Sequence, residues 1–257
     1  MNKAALLEVF NREQRIDIEY PGSMREVDGP VVRQVSLTGT RHYITYSNLN
    51  EEQADAIIDA QIAYFKARGE QFEWKLYDYD QPTNLQEKLR ARGFDIGEAE
   101  ALLVMELHED HPLLAVDIPD TIRPISDDAG IDEIMAMEEE IWNEPHDVFG
   151  MGLKADLKND PESLKIYAAY NADGRVVSAA WMYLQEGTSF GSLWGGSTLP
   201  NYRGKGLYTS LLAVRAQEAW KRGYTLLTVD ASPMSRPILE KRGFLCLGIT
   251  YPCLSPE

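Results

Sequence analysis

Hydrophobic positions along this chain switch between two periods, and the switches outline its elements. Over residues 189–198 bulky and small residues alternate as on a strand. Downstream Leu207, Leu211, Leu212, Ala216, Ala219 and Trp220 recur at helical spacing until Gly223 stops the run. Residues 224–231 read as a buried strand, residues 232–243 as a turn and short helix, and residues 244–253 as a final strand. Upstream, residues 121–125 open a strand and residues 127–142 form an acidic amphipathic helix. Residues 165–170 and 176–183 then form a hairpin about Asn171-Ala172-Asp173-Gly174. Nearer the start, a helix over 55–68 ends at Gly69 and is followed by a strand over 72–78.

Part of this pattern occurs twice. Leu89-Arg90-Ala91-Arg92-Gly93-Phe94 is echoed 150 positions later by Leu239-Glu240-Lys241-Arg242-Gly243-Phe244, each after a strand and a helix that ends in glycine. At 257 residues two domains are the default expectation. The polar stretch from His108 to Asp120, with Pro112 and Pro119, is the natural connector. The expected division is 1–110, a linker over 111–120, and 121–257.

Composition narrows the partners. The 25 lysines and arginines face 41 acidic residues, a formal charge of −16, and no basic face is visible outside residues 203–205. Nucleic acid is therefore an unsuitable partner, and so is an anionic membrane surface. No apolar run is long enough to span a bilayer, and the first eight residues are too short and acidic for a signal peptide, so the expected location is the cytoplasm. Cys246 and Cys253 lie seven apart on one strand, on opposite faces, and read as small apolar residues. His42, His108, His111 and His146 form no metal-binding spacing, so no metal is implied, and His108 and His111 read as solvated.

The chemistry concentrates in Leu199-Pro200-Asn201-Tyr202-Arg203-Gly204-Lys205-Gly206-Leu207-Tyr208, between a strand and a helix. Glycines let the backbone curl towards a ligand, first-turn N–H groups lack intrahelical partners, and the dipole favours an anion. Arg203 and Lys205 add charge. The turn is no P-loop, because Gly206 follows Lys205, and no dinucleotide fingerprint, because Thr209 stands where its third glycine or alanine belongs. It resembles the coenzyme A loop of the GNAT N-acetyltransferase superfamily, in which Arg or Gln is followed after two residues by Gly and, one residue on, by Gly or Ala. Arg203 and Gly206 match, while Tyr208 departs from the last small position. Residues 224–244 resemble the second signature of that family. There Ser232 stands in place of the usual Asn, and Leu239 stands where many members carry a tyrosine acid.

The resemblance implies an α/β fold (α+β) of two tandem GNAT-like domains, each with a mixed, mainly antiparallel sheet flanked by helices. The C-terminal domain would use acetyl-coenzyme A as co-substrate, held by Ser197, Thr198, Leu199, Arg203, Gly204, Lys205, Gly206, Leu207, Tyr208 and Ser232. Its acceptor would be a small-molecule or peptide amine, and the protein a monomer or homodimer. The N-terminal copy is worn. Its helix starts at Ser47-Asn48-Leu49-Asn50-Glu51-Glu52-Gln53, with no glycine and two carboxylates where phosphates would sit, so it should bind no coenzyme A.

Acetyl transfer needs a base, yet residues 188–198 contain no carboxylate. Asp230 shares a strand face with Thr228 and Ser232. Either it meets the amine or it accepts hydrogen bonds from the 232–235 turn. Ser232 is a second candidate, on the thiolate side. The acidic stretch from Glu138 through Glu140 and Glu144 to His146 and Asp147 is another source, although its glutamates also read as a solvated face. A non-catalytic acyl-coenzyme A sensor and an interaction module without nucleotide are the competing readings.

Overall fold

The computed structural model describes residues 1–37 and 42–257. In chain order the elements are α1 (Lys3–Phe10), β1 (Ser23–Asp28), β2 (Val31–Ser36), β3 (Tyr43–Ser47), α2 (Glu51–Lys66), β4 (Glu73–Tyr77), α3 (Leu85–Ala91), β5 (Asp95–Ile96) and β6 (Glu100–Glu106). They continue with β7 (Ile122–Ile125), α4 (Asp128–Trp142), α5 (Asp147–Asn159), β8 (Leu164–Tyr170), β9 (Val176–Leu184), β10 (Phe190–Thr198), α6 (Leu207–Lys221), β11 (Leu226–Ala231), α7 (Arg236–Glu240) and β12 (Leu245–Leu254). The class is a mixed α/β fold whose sheet pairings are mostly antiparallel.

Two compact units result. The first comprises residues 1–105 and 229–257, the second residues 106–228. This differs from the expected division of 1–110 and 121–257. β12 pairs antiparallel with both β4 and β6, at Cys253↔Trp74 and Leu245↔Val104, so the end of the chain belongs with its beginning. Such pairing partners are far apart in sequence and no local pattern announces them. The expected linker is also no loose tether. Residues 112–115 form a 3-10 turn, Leu113 is buried, and Gln217 of α6 donates to the carbonyls of Leu113 (3.1 Å) and Val116 (2.8 Å). His111, expected in solvent, is buried and accepts from the Leu113 amide.

In the first unit β1, β2 and β3 form an antiparallel meander, and α2 carries the chain over to β4, which lies parallel to β3. Asn50 caps α2 by accepting from the Gln53 amide at 2.9 Å, so the helix begins at Glu51, a turn earlier than the sequence pattern suggested. Phe65, Phe72 and Trp74 fill the core, with the two phenyl rings stacked at 4.4 Å. Burying each such ring contributes on the order of 2–3 kcal/mol. The Arg15 guanidinium grips the Asp80 carboxylate with two 2.8 Å bonds, both groups being buried.

The second unit repeats the scheme. β7, β8, β9 and β10 run antiparallel, and α6 crosses over to β11, parallel to β10. Asp127 caps α4 through the Gly130 amide, and Ile131, Ile134 and Met135 form its buried stripe against Leu164, Ile166 and Trp181. Ala180 and Leu211 belong to a separate apolar cluster on the α6 side. The Arg-Gly-Phe echo is also real geometry. Phe94 and Phe244 each donate to the carbonyl five residues back, Leu89 and Leu239, at 3.2 Å, beyond glycines with φ of 83° and 103°.

Candidate active site

β10 is where the second unit opens. Its parallel register with β11 runs from Phe190↔Leu226 to Ser192↔Thr228, whereas its register with β9 continues to Thr198↔Ser178. The β9 register slips between Gly195 and Ser197, so Gly196 is the extra residue of a bulge. Gly195 and Gly196 have φ of 67° and 96°. A Cβ on Gly195 would run into the Trp181 ring, and one on Gly196 would lie 2.9 Å from the Tyr208 ring. Only glycine fits either place.

Arg215 of α6 braces this bulge. Its guanidinium is buried and donates to the carbonyls of Leu211 (3.0 Å), Trp181 (3.0 Å) and Trp194 (3.2 Å). Burial pulls its pKa down to about 10, with the hydroxyls of Tyr208 and Tyr167 opposing the shift, so it remains a cation at neutral pH. Two strands and a helix are tied to one point. That fixes the bend.

On the α4 side, Glu138 stands against Ser197. The carboxylate is 3% exposed. Trp142 Nε1 donates to Oε2 at 2.8 Å, and Oε1 has no hydrogen-bond partner among the described residues. Burial raises its pKa, while the facing Ser197 hydroxyl, the Trp142 N–H and the nearby His146 ring oppose the rise. Glu139 instead accepts from the His146 amide, and Glu140 pairs with Arg175 at the surface. The stretch expected to be a solvated face thus splits three ways. Glu138 continues the stripe of Ile131, Ile134 and Met135, and that spacing was the available signal.

The turn after β10 is held from both ends. Leu199 is buried, its N–H donates to Val177 O at 3.0 Å, and its carbonyl accepts from Tyr202 N. The Tyr202 hydroxyl accepts from Asn171, Arg203 Nε donates to Thr198 O at 3.0 Å, and Lys205 Nζ lies 4.7 Å from the Tyr202 ring centre. Gly204 and Gly206 have φ of 73° and 84°, with open space where a side chain would be. Gly206 is the N-cap of α6. No side chain caps the helix and no acid stands in its first turn. The result is an open, positive helix start. A cleft of about 290 Å³ opens beside it, lined by Tyr170, Asn171, Asp173, Tyr202, Lys205 and Leu207 among others.

The structure therefore brings together Ser197, Thr198, Leu199, Arg203, Gly204, Lys205, Gly206, Leu207 and Tyr208 in one unit. Leu199 is a core anchor there, with its amide already engaged, and the Ser197 carbonyl accepts from Ser178 Oγ at 2.7 Å. Asp230 and Ser232 fall in the other unit. Asp230 pairs with Lys75 at 2.8 Å; burial pulls the Lys75 pKa down, but the Asp230, Glu73 and Glu100 carboxylates outweigh it and leave the ammonium with a raised pKa. Ser232 folds its own turn, its carbonyl accepting from Ser235 N and Arg236 N. Asp230 is held by Lys75 and not by the 232–235 turn as one reading expected, and the Ser232 hydroxyl meets that of Ser235 at 3.2 Å, so both side chains have structural partners. Cys253 is buried and its thiol pushed up to about 12, so it is no nucleophile.

The sequence of residues 131–244 matches the acetyltransferase (GNAT) family. This segment is a GNAT-family acetyltransferase domain. It begins inside α4 and ends at Phe244, so it contains the bulge, the glycine turn and α7. Solved structures extend the likeness to almost the whole chain. A GCN5-related N-acetyltransferase from Kribbella flavida is 16% identical with a TM-score of 0.66, over 99% of this chain and 94% of that one. A tandem GNAT protein from the clavulanic acid biosynthesis pathway is 11% identical with a TM-score of 0.60, over 92% and 85%. A GCN5-related N-acetyltransferase from Sphaerobacter thermophilus is 13% identical with a TM-score of 0.59, over 88% and 76%. At these identities the likeness is one of fold. No curated protein is significantly similar in sequence. Among the described residues no cluster of His, Cys, Asp and Glu is arranged to hold a metal, and no helix is long and apolar enough to cross a membrane.

Proposed function

We propose that the GNAT domain is an acetyl-coenzyme A-dependent N-acetyltransferase that passes its acetyl group directly to a primary amine, in a chain of two tandem GNAT-like domains. The observation that carries this reading is the join of a bulged, splayed strand to an uncapped helix through a basic two-glycine turn. Each part has a task. The α6 start and the exposed Lys205 and Arg203 suit a diphosphate, because dipole and cation act together on one anion. The free edge of β10 offers backbone groups to the pantetheine arm, and the bulge sets the thioester carbonyl against polarising N–H groups. Arg215 keeps that edge from relaxing into regular pairing.

The second unit is suited to a cationic acceptor on its α4 side, where the Glu138 and Glu139 carboxylates lie beside His146. The first unit binds no coenzyme A in this reading, since Asn50 and the two glutamates close the start of α2.

A non-catalytic acyl-coenzyme A sensor is the second reading, favoured by the Tyr208 ring lying against Gly196 and by the absence of a carboxylate from residues 188–198. Release of free thiol from acetyl-coenzyme A across a panel of primary amines separates the two. Amine-dependent release supports the enzyme. Coenzyme A binding by calorimetry with no release from any amine supports the sensor and rejects the enzyme.

A further inference from the structure

Glu138 occupies a place that a helix normally gives to an apolar residue. It is the fourth member of the buried stripe begun by Ile131, Ile134 and Met135. Buried carboxylates kept for structure are paired with a cation or fully hydrogen-bonded, because an uncompensated charge in a dry site is unfavourable. Glu138 is neither. One oxygen takes the Trp142 indole N–H, and Oε1 is left without a partner among the described residues. The groups facing it are few. α5 presents the His146 ring, β10 the Ser197 hydroxyl, and β9 contributes Val177, Ala179 and Trp181 to this face, none of them titratable. No lysine or arginine is among the groups that act on it. The adjoining stretch of β10, residues 188–198, has no acid of its own.

We propose that Glu138 is the catalytic base of this site, its Oε1 receiving the proton of an acceptor ammonium bound over Ser197 beside the β10 bulge. The inference rests on the N-acetyltransferase reading. The acceptor R–NH3+ gives one proton to Oε1 and becomes a neutral amine. The amine nitrogen attacks the thioester carbon, a C–N bond forms, and the carbonyl electrons move to oxygen. Collapse of this adduct breaks the C–S bond, and the second proton on nitrogen passes to the departing sulfur. Glu138 then returns its proton to water. The sum is amide, free thiol and one proton released.

Burial supports the role, since a carboxyl lifted above its ordinary value is a stronger base once ionised and better matched to neutral pH. The sign of its effect on folding follows. A carboxyl whose folded pKa is raised stabilises the fold at low pH. That contribution disappears as pH rises from the ordinary value of 4.5 through the raised one. The Glu138→Gln variant, which has nothing to titrate, should therefore match wild type near pH 4 and exceed it in Tm at pH 8.

The test compares wild type with Glu138→Gln, using acetyl-coenzyme A and a panel of primary alkylamines, polyamines and amino acids. The expected result is coenzyme A affinity within about twofold of wild type, kcat/KM lower by about 100-fold, and loss of the acid limb of the pH profile. Unchanged kcat/KM and an unchanged limb in the variant would overturn the base. Wild type that binds coenzyme A yet releases no thiol with any amine would overturn the enzyme reading and the base with it. A readout without turnover separates the two failures. The Trp142 indole N–H resonance should shift as Glu138 titrates in wild type and stay fixed in the variant, and a resonance that is pH-independent in both contradicts the proposal. Trp142→Phe guards against misfolding, because Trp142 is half exposed. Losing its N–H should move the acid limb to higher pH, and a limb that does not move contradicts the assignment.

Discussion

α2 and α6 are the same element used twice, and their first turns differ where it matters. Each follows the last strand of an antiparallel meander and crosses over to a parallel neighbour, β3 to β4 and β10 to β11. α2 satisfies its own start. Asn50 Oδ1 takes the Gln53 amide, and Glu51 reaches Asn84 and Lys88 of the following helix segment, both at 3.1 Å. α6 starts at a left-handed glycine with no side-chain cap and no acid. One fold thus carries a sealed and an open helix terminus. The difference lies in four or five residues and not in the architecture around them. A site of this kind is a local departure from stability.

The largest expected effect comes from closing α6 in the way α2 is closed. Gly206→Glu places a carboxylate on the dipole and a side chain at φ 84°, and coenzyme A affinity should fall by about 100-fold or more in calorimetry. An affinity within threefold of wild type would mean that α6 is not the open end.

Next is the brace. Arg215→Met removes the donor to Trp181 O and Trp194 O while leaving the turn intact. Turnover should drop about 30-fold, with coenzyme A binding changed by less than about threefold, since preorganised groups act on the transition state more than on the ground state. Equal losses in both would place Arg215 in the binding turn instead.

The sealed end supplies a control. Asn50→Ala should cost about 1 kcal/mol, lowering Tm by about 2–4 °C for a chain of this size, and leave coenzyme A affinity unchanged. A loss of affinity would show that α2 is not the inert copy. The smallest effect belongs to Lys205→Ala. This exposed ammonium is shared with the Tyr202 ring, so affinity should weaken about three- to fivefold at low salt, and the difference should shrink at 0.5 M salt.

What the sequence disclosed and what it hid follow from range. The β10–turn–α6 unit was legible because its signals are local, a helical stripe, a stop at Gly223 and glycines where φ is positive. The Leu89–Phe94 and Leu239–Phe244 echo was legible for the same reason, and the structure gives both the same cap. α5 was not anticipated. Gly150 and Gly152 lower its helical signal, and packing of Leu153 and its neighbours supplies what propensity does not. The home of β12 was hidden because it depends on partners such as Trp74, nearly 180 positions away. The bulge was half visible, since Gly195-Gly196 was read as a small-residue stretch of strand. Glu138 was obscured by Glu139 and Glu140, although only Glu138 keeps step with Ile131, Ile134 and Met135.

The central claim is that amides at the start of α6 grip a diphosphate, and backbone 15N resonances of the wild-type protein test it most directly. On titration with coenzyme A the amides of residues 204–208 should shift, pantetheine without the diphosphate should leave them in place, and those of residues 50–53 should respond to neither. Shifts confined to other segments, or identical shifts with pantetheine, would contradict the account.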